Sequence, residues 1–129
     1  MKVRSILLID DNDVDNFIHR RVIDIMQFAQ HVHACTSVKN AKEFIELLVK
    51  NKEPLPDVIF LDLNMPGENG FAFLEWFKDF SQQYNNHTKI IILTSSNNQA
   101  DVDHAFSYQN VVKFITKPLK KDHLAELPL

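Results

Sequence analysis

Cysteine is nearly absent: Cys35 stands alone, so no internal disulfide can form and the redox compartment is left open. Its neighbours Ala34 and Thr36 suggest a strand, where a lone thiol reads as a small buried apolar group. Neither sign of charge dominates. Lys and Arg total 14 against 17 Asp and Glu, and a net charge of −3 argues for neither a nucleic-acid nor a membrane partner. The adjacent Lys120 and Lys121 read as a solvated face rather than a nucleic-acid surface. Long apolar runs are missing too: none approaches the roughly 20 residues that span a bilayer. The stretch from Ile6 to Ile9 runs into Asp10 and is too short for a signal-peptide core of roughly 7–15 residues. The expectation is a cytoplasmic protein. Glycine is scarce as well, with only Gly67 and Gly70, both in one short loop. A chain this poor in glycine places it where the backbone needs positive φ or close approach.

What is present is a regular alternation. The 129 residues suffice for one domain, 1–129, with no room for a separate output domain. Short β-branched or aliphatic runs at Val3–Ile9, Val32–Thr36, Val58–Leu61, Ile90–Leu93 and Val111–Ile115 predict five strands. Between them lies helical spacing. Val14, Phe17, Ile18, Val22 and Ile25 recur as one face of a first helix, and Val38, Ala41, Phe44, Ile45, Leu48 and Val49 of a second, with Ser37 placed to cap it. Phe71, Leu74 and Phe77 mark a third helix after Asn69, widened by Phe73, Trp76 and Phe80. A weaker fourth runs from Asn98 to Tyr108 and a short fifth from Asp122 to Leu127. Phe17, Phe44, Phe60, Phe71 and Phe77 are core candidates, and Trp76 belongs at the core margin.

Five strands alternating with five helices imply an α/β fold: a doubly wound parallel sheet with helices on both faces. The uniformly apolar runs at 58–61 and 90–93 fit strands buried on both sides. Ligands of such sheets bind outside the carboxyl ends of the strands. At those ends stand Asp10 and Asp11, Asp62, Thr94 and Lys117. Gathered carboxylates repel unless something neutralises them, and Mg²⁺ does so while keeping several waters. Carboxylates, Mg²⁺ and a lysine suit phosphoryl transfer, which is mostly positioning and charge neutralisation. Asp62, ending the middle strand, is the nucleophile candidate for an aspartyl-phosphate, and the Thr94 hydroxyl can hydrogen-bond a phosphoryl oxygen.

Leu8-Ile9-Asp10-Asp11-Asn12, Leu61-Asp62-Leu63-Asn64-Met65-Pro66-Gly67 with Gly70, Leu93-Thr94-Ser95 and Lys117-Pro118 resemble, in order and spacing, the signature segments of response-regulator receiver domains. The resemblance implies a flavodoxin-like strand order 2-1-3-4-5. It implies a stand-alone, chemotaxis-type switch rather than an enzyme, one that assists its own Mg²⁺-dependent phosphorylation and dephosphorylation. Asp62 is then the phosphoacceptor, Asp11 a direct Mg²⁺ ligand, Asp10 a ligand through water, and Asn64 a donor of its backbone carbonyl. Lys117 contacts the phosphoryl group and precedes a cis bond to Pro118, and Thr94 and Phe114 form a switch pair. The implied partners are a sensor histidine kinase or a histidine phosphotransfer protein, and a downstream protein target. A phosphorelay shuttle role fits the same residues, and the implied state is a monomer or weak homodimer. Three departures stand out. Phe114 occupies a place often held by Tyr, Tyr108-Gln109-Asn110-Val111 stands where a Gly-Ala pair is common, with Asn110 able to tolerate a left-handed turn, and the fifth helix stops before Pro128.

Other readings fit less well. A calcium loop starting at Asp11 needs Gly sixth and Glu twelfth, where Asn16 and Val22 stand. Asp13 and Asp15 therefore read as acids complementing the dipole of the first helix. The six histidines show no metal spacing; His31 and His33 read as surface residues, and His19, among Arg20 and Arg21, as exposed and no phosphodonor. A dehalogenase-type hydrolase needs a second Asp where Asn64 stands, and an amide cannot relay the proton. A flavodoxin-like interaction module without phosphorylation remains the other alternative, although the acids after the first strand would repel a flavin phosphate.

Overall fold

Strand and helix alternate from end to end, as the apolar runs predict. The structure, a computed structural model, describes residues 2–84 and 87–128. In chain order the elements are β1 (Val3–Ile9), α1 (Asp13–Ile25), β2 (Ala29–Cys35), α2 (Val38–Lys50), β3 (Val58–Leu61), α3 (Gly70–Tyr84), β4 (Lys89–Thr94), α4 (Gln99–Phe106), β5 (Val111–Thr116) and α5 (Lys121–Ala125). All pairings are parallel and the strand order is β2-β1-β3-β4-β5. In β4 and β5 the register slips: Ile90 faces Val111 but Ile91 faces Lys113, so β5 carries one extra residue.

The sheet separates two cores. On one face Leu7, Ile9, Ile59, Leu61, Ile90 and Ile92 meet α2, α3 and α4 through Ala41, Ile45, Phe73, Phe77 and Ala105. On the other, Ile6, Leu8, Val58, Phe60, Ile91 and Leu93 meet α1 and α5 through Ile23 and Leu124. Every residue of β3 is buried, which is why it reads as an unbroken apolar run. Phe60, Phe73 and Phe77 are fully buried, each worth roughly 1.5–3 kcal/mol of apolar transfer. Phe44 and Phe71 pack partly buried against the core, and Trp76 sits at its margin beside Phe73 and Phe80.

Helix α1 departs from its sequence reading. Val14, Phe17, Ile18 and Ile25 face outward, Phe17 with 64% of its surface exposed, and only Val22 of that stripe packs on the core. The inward face is Asn16, His19 and Ile23. His19 is therefore buried rather than exposed, and Phe17 is not a core residue. Asn12 caps α1 by accepting from the N–H groups of Val14 and Asp15, which sets where the helix begins, and the burial of Asn16, His19 and Ile23 sets its phase. With that phase the Asn16 side chain lies over β1, donating to the Asp10 carbonyl at 2.9 Å.

Smaller departures also have local causes. Strand β2 begins at Ala29, earlier than predicted, because it is an edge strand whose outward residues Gln30 and His31 are polar. Ser37 caps α2 as expected, accepting from the Asn40 N–H. Asn110 does not turn left-handed: among the described non-glycine residues only Gln27 and Lys52 have positive φ. Its side chain instead donates to the Thr88 carbonyl at 3.0 Å, and the turn closes through Val111 N–H to the Tyr108 carbonyl. Helix α5 is short, and Leu127 beyond it is buried. Among the described residues no helix is long and apolar enough to cross a membrane.

Candidate functional site

Parallel pairing carries the ends of β1, β3, β4 and β5 to one edge of the sheet. Asp10 follows β1, with its N–H bonded to the Cys35 carbonyl at 3.1 Å; Asp62 follows β3, with its N–H on the Ile9 carbonyl at 3.0 Å. The strand ladder thus seats both acids before any side chain is considered. Asp10 and Asp62 are buried and Asp11 is exposed, and carboxylate oxygens of all three lie within 4.8 Å of one another. One oxygen of each buried acid is held by a backbone N–H two residues on: Asn12 to Asp10 at 3.0 Å and Asn64 to Asp62 at 3.2 Å.

The other oxygens meet Lys117. This residue follows β5, donates its backbone N–H to the Thr94 carbonyl at 2.8 Å, and precedes a cis bond to Pro118. Its ammonium lies 2.6 Å from Asp10, 2.8 Å from Asp15 and 3.2 Å from Asp62. Burial alone would lower the lysine pKa. The hydrogen bonds of Asp10 and Asp15 and the charge of Asp62 outweigh it and hold Lys117 above the usual ammonium range. Burial raises the Asp10 carboxyl, opposed by Lys117 and the Asn12 N–H and reinforced by the charge of Asp62. Carboxylates outnumber ammonium groups here, and the donors are all oxygen. That donor chemistry fits a hard divalent cation keeping part of its water shell.

The loop after Asp62 explains both glycines. A Cβ on Gly70 would fall 2.5 Å from the Asp62 carbonyl oxygen and 2.8 Å from the Leu63 Cα, so α3 starts where only glycine fits against β3. Gly67 has φ +76°, which L side chains rarely adopt. Glu68 in this loop pairs with Lys42 of α2 at 2.9 Å. Asn64 is exposed, and its amide lies 3.5 Å from the hydroxyl of Thr94, itself wholly buried at the end of β4. Phe114 is half-buried against the α2–α3–α4 core, opposite Ile92 in β4.

Asp10, Asp11, Asp62 and Lys117 therefore converge, with Asn64 and Thr94 beside them and Phe114 on the neighbouring strand. Three further residues join the cluster unannounced by the sequence. Asp15, read as a dipole acid, binds Lys117 across 102 residues. Asn16 anchors the Asp10 carbonyl, and its own buried Oδ1 has no partner among the described residues. His19 is 2% exposed; burial first, then the nearby Lys117, push its pKa down. Asn12 signals where α1 begins, but which side of the helix faces the acids is settled by its docking on the sheet. Cys35 is buried as expected, its thiol pushed up to about 11 by that burial. His31 and His33 are exposed, and His33 stacks on Phe44.

Known proteins share this fold. A two-component response regulator from Cytophaga hutchinsonii superimposes with a TM-score of 0.89 at 30% identity, over 97% of this chain and 93% of that one. The Mn²⁺-bound form of response regulator Rcp1 does so with a TM-score of 0.68 at 25% identity, over 95% and 87%. Among curated sequences, the two-component response regulator ORR1 of Oryza sativa subsp. japonica is 29% identical across 97% of this chain and 54% of its own length. The chain thus spans about half the length of these curated relatives. The family model for the response regulator receiver domain matches residues 6–127, a span holding every acid of the cluster and its lysine, and the chain belongs to that family.

Proposed function

We propose that the chain is a phosphoacceptor switch in which Asp62 takes a phosphoryl group from a histidine kinase or histidine phosphotransfer protein. The observation that carries this reading is the Lys117 ammonium seated among buried carboxylates, 3.2 Å from Asp62. The transfer is balanced simply. An Asp62 carboxylate oxygen forms a bond to phosphorus as the P–N bond of the donor phosphohistidine breaks, and the imidazole leaves with the electron pair. Lys117 offsets the charge on the phosphoryl oxygens, and the backbone N–H of Asn64 orients the attacking carboxylate.

Receiver domains bind Mg²⁺ at an acidic pocket, and the cluster of Asp10, Asp11 and Asp62 supplies one here. Asp11 and Asp62 would hold the ion directly, Asp10 through water, and the Asn64 carbonyl would add a neutral oxygen. When bound, the ion supplies charge neutralisation for the phosphoryl oxygens.

Phosphorylation replaces a carboxylate charge with a phosphoryl group of about −1.5 to −2. The buried Thr94 hydroxyl then turns to a phosphoryl oxygen, Phe114 moves into the space it leaves, and the surface over α4 and β5 changes for a downstream partner. Val14, Phe17 and Ile18 leave an exposed apolar stripe on α1, which supports a protein partner on that side.

The test is incubation with acetyl phosphate, with and without Mg²⁺, followed by intact mass. One phosphoryl increment is expected, lost in Asp62→Asn and suppressed by chelator. An increment persisting in Asp62→Asn would refute the assignment.

A further inference from the structure

We infer that Asp15 is a positioning residue for phosphoryl transfer, acting through Lys117; this rests on the phosphoacceptor reading of Asp62. Lys117 has three carboxylate partners, but two of them, Asp10 and Asp62, belong to the acidic cluster. When a divalent cation and then a phosphoryl group claim those oxygens, Asp15 is the one left to hold the ammonium, at 2.8 Å. Asp15 stands apart from the cluster of acids that could share an ion, so its carboxylate is not diverted.

The carboxylate is also well seated. Asp15 lies in the first turn of α1, and its backbone N–H donates to the Asn12 side chain at 3.1 Å. Asn12 in turn donates its N–H to Asp10 at 3.0 Å. A closed circuit of Asp10, Asn12, Asp15 and Lys117 therefore ties the start of α1 to the end of β5. The lysine otherwise ends a flexible four-carbon stem with high rotamer entropy. An ammonium has three N–H donors, so one kept on Asp15 leaves the rest for phosphoryl oxygens. Asp15 supplies pre-orientation rather than competition.

The experiment follows the rate of phosphoryl uptake from acetyl phosphate at saturating Mg²⁺, so that altered metal affinity does not enter. Asp15→Asn, which keeps the shape and removes the charge, is expected to slow uptake about three- to tenfold. Asp15→Glu should recover part of the loss. In a Lys117→Met background the further change Asp15→Asn should alter the rate less than about twofold, because the group it orients is gone. Circular dichroism confirms folding of each variant, and the Asn and Glu pair decides the matter if Lys117→Met does not fold. A wild-type or faster rate in Asp15→Asn, equal rates in the Asn and Glu variants, or full additivity with Lys117→Met overturns the inference. Wild-type protein that takes up no phosphoryl group overturns the function itself, a distinguishable result.

Discussion

Replacing Gly70 with Ala tests whether Asp62 is seated by the close approach of α3 to β3. The added Cβ would sit 2.5 Å from the Asp62 carbonyl oxygen, against at least 3.4 Å for an ordinary contact. Backbone must therefore move by about 0.9 Å, and the Leu63 Cα at 2.8 Å blocks the other escape. Overpacking of this kind costs about 1–3 kcal/mol, against which the helix propensity of Ala returns at most about 1 kcal/mol. With a urea slope of about 1–3 kcal/mol per molar, the denaturation midpoint should fall by roughly 0.5–1 M. The chemistry should suffer more than the fold, because a misplacement near 1 Å can cost about 100-fold in rate. We expect acetyl phosphate uptake on Asp62 to drop about 10- to 100-fold. Gly67→Ala is the matched control: it is strained by its φ of +76°, at about 1–2 kcal/mol, but nothing lies within 4 Å of its Cβ. It should lose stability and keep most of the rate. If Gly70→Ala took up phosphate at the wild-type rate, the argument that this glycine seats Asp62 would be wrong.

Three further outcomes follow from the same cluster. Lys117→Met leaves buried acids unpaired, so its melting temperature in chelator should fall, by an amount equivalent to about 3–5 kcal/mol at most, and Mg²⁺ should restore more of it than in wild type; thermal melts with and without Mg²⁺ decide this. Thr94→Ala should still be phosphorylated but should lose the phosphorylation-dependent change in partner binding; a wild-type change on calorimetric titration counts against the switch. His19, held below its ordinary pKa by burial, contributes stability that is full above about pH 6.5 and is lost as the pH falls below it. In chelator the urea midpoint should therefore drop between pH 8 and pH 5.5 more in wild type than in His19→Gln, and equal drops would contradict the assignment.

The strand ends were the legible part. Asp10, Asp62, Thr94 and Lys117 are each fixed by the end of an apolar run, and a parallel sheet has no choice but to bring such ends together. The two glycines were legible for the same local reason. Helix α1 was not, because two stripes compete on it. The apolar one at Val14, Phe17 and Ile18 satisfies the helical period, yet the fold buries Asn16, His19 and Ile23 instead. Polar side chains are buried there because Asn16 finds the Asp10 carbonyl, a partner visible only once α1 is docked on β1. Asp15 and Lys117 were hidden from each other by 102 residues of chain, a separation that no periodicity reports.

The register slip between β4 and β5 has a consequence for signalling geometry. Side chains alternate faces along a strand, so Thr94 shares the side of Ile92, the one covered by α2, α3 and α4. Counting evenly from Val111, which lies on that side, Phe114 would point toward α1 and α5. The surplus residue reverses the parity, so Phe114 and Thr94 look into a common compartment. Excising Val112 would leave a cleaner ladder and keep the ring where it is, two residues from Val111 and opposite Ile92, whereas closing the ladder with Val112 retained would turn the ring to the other face.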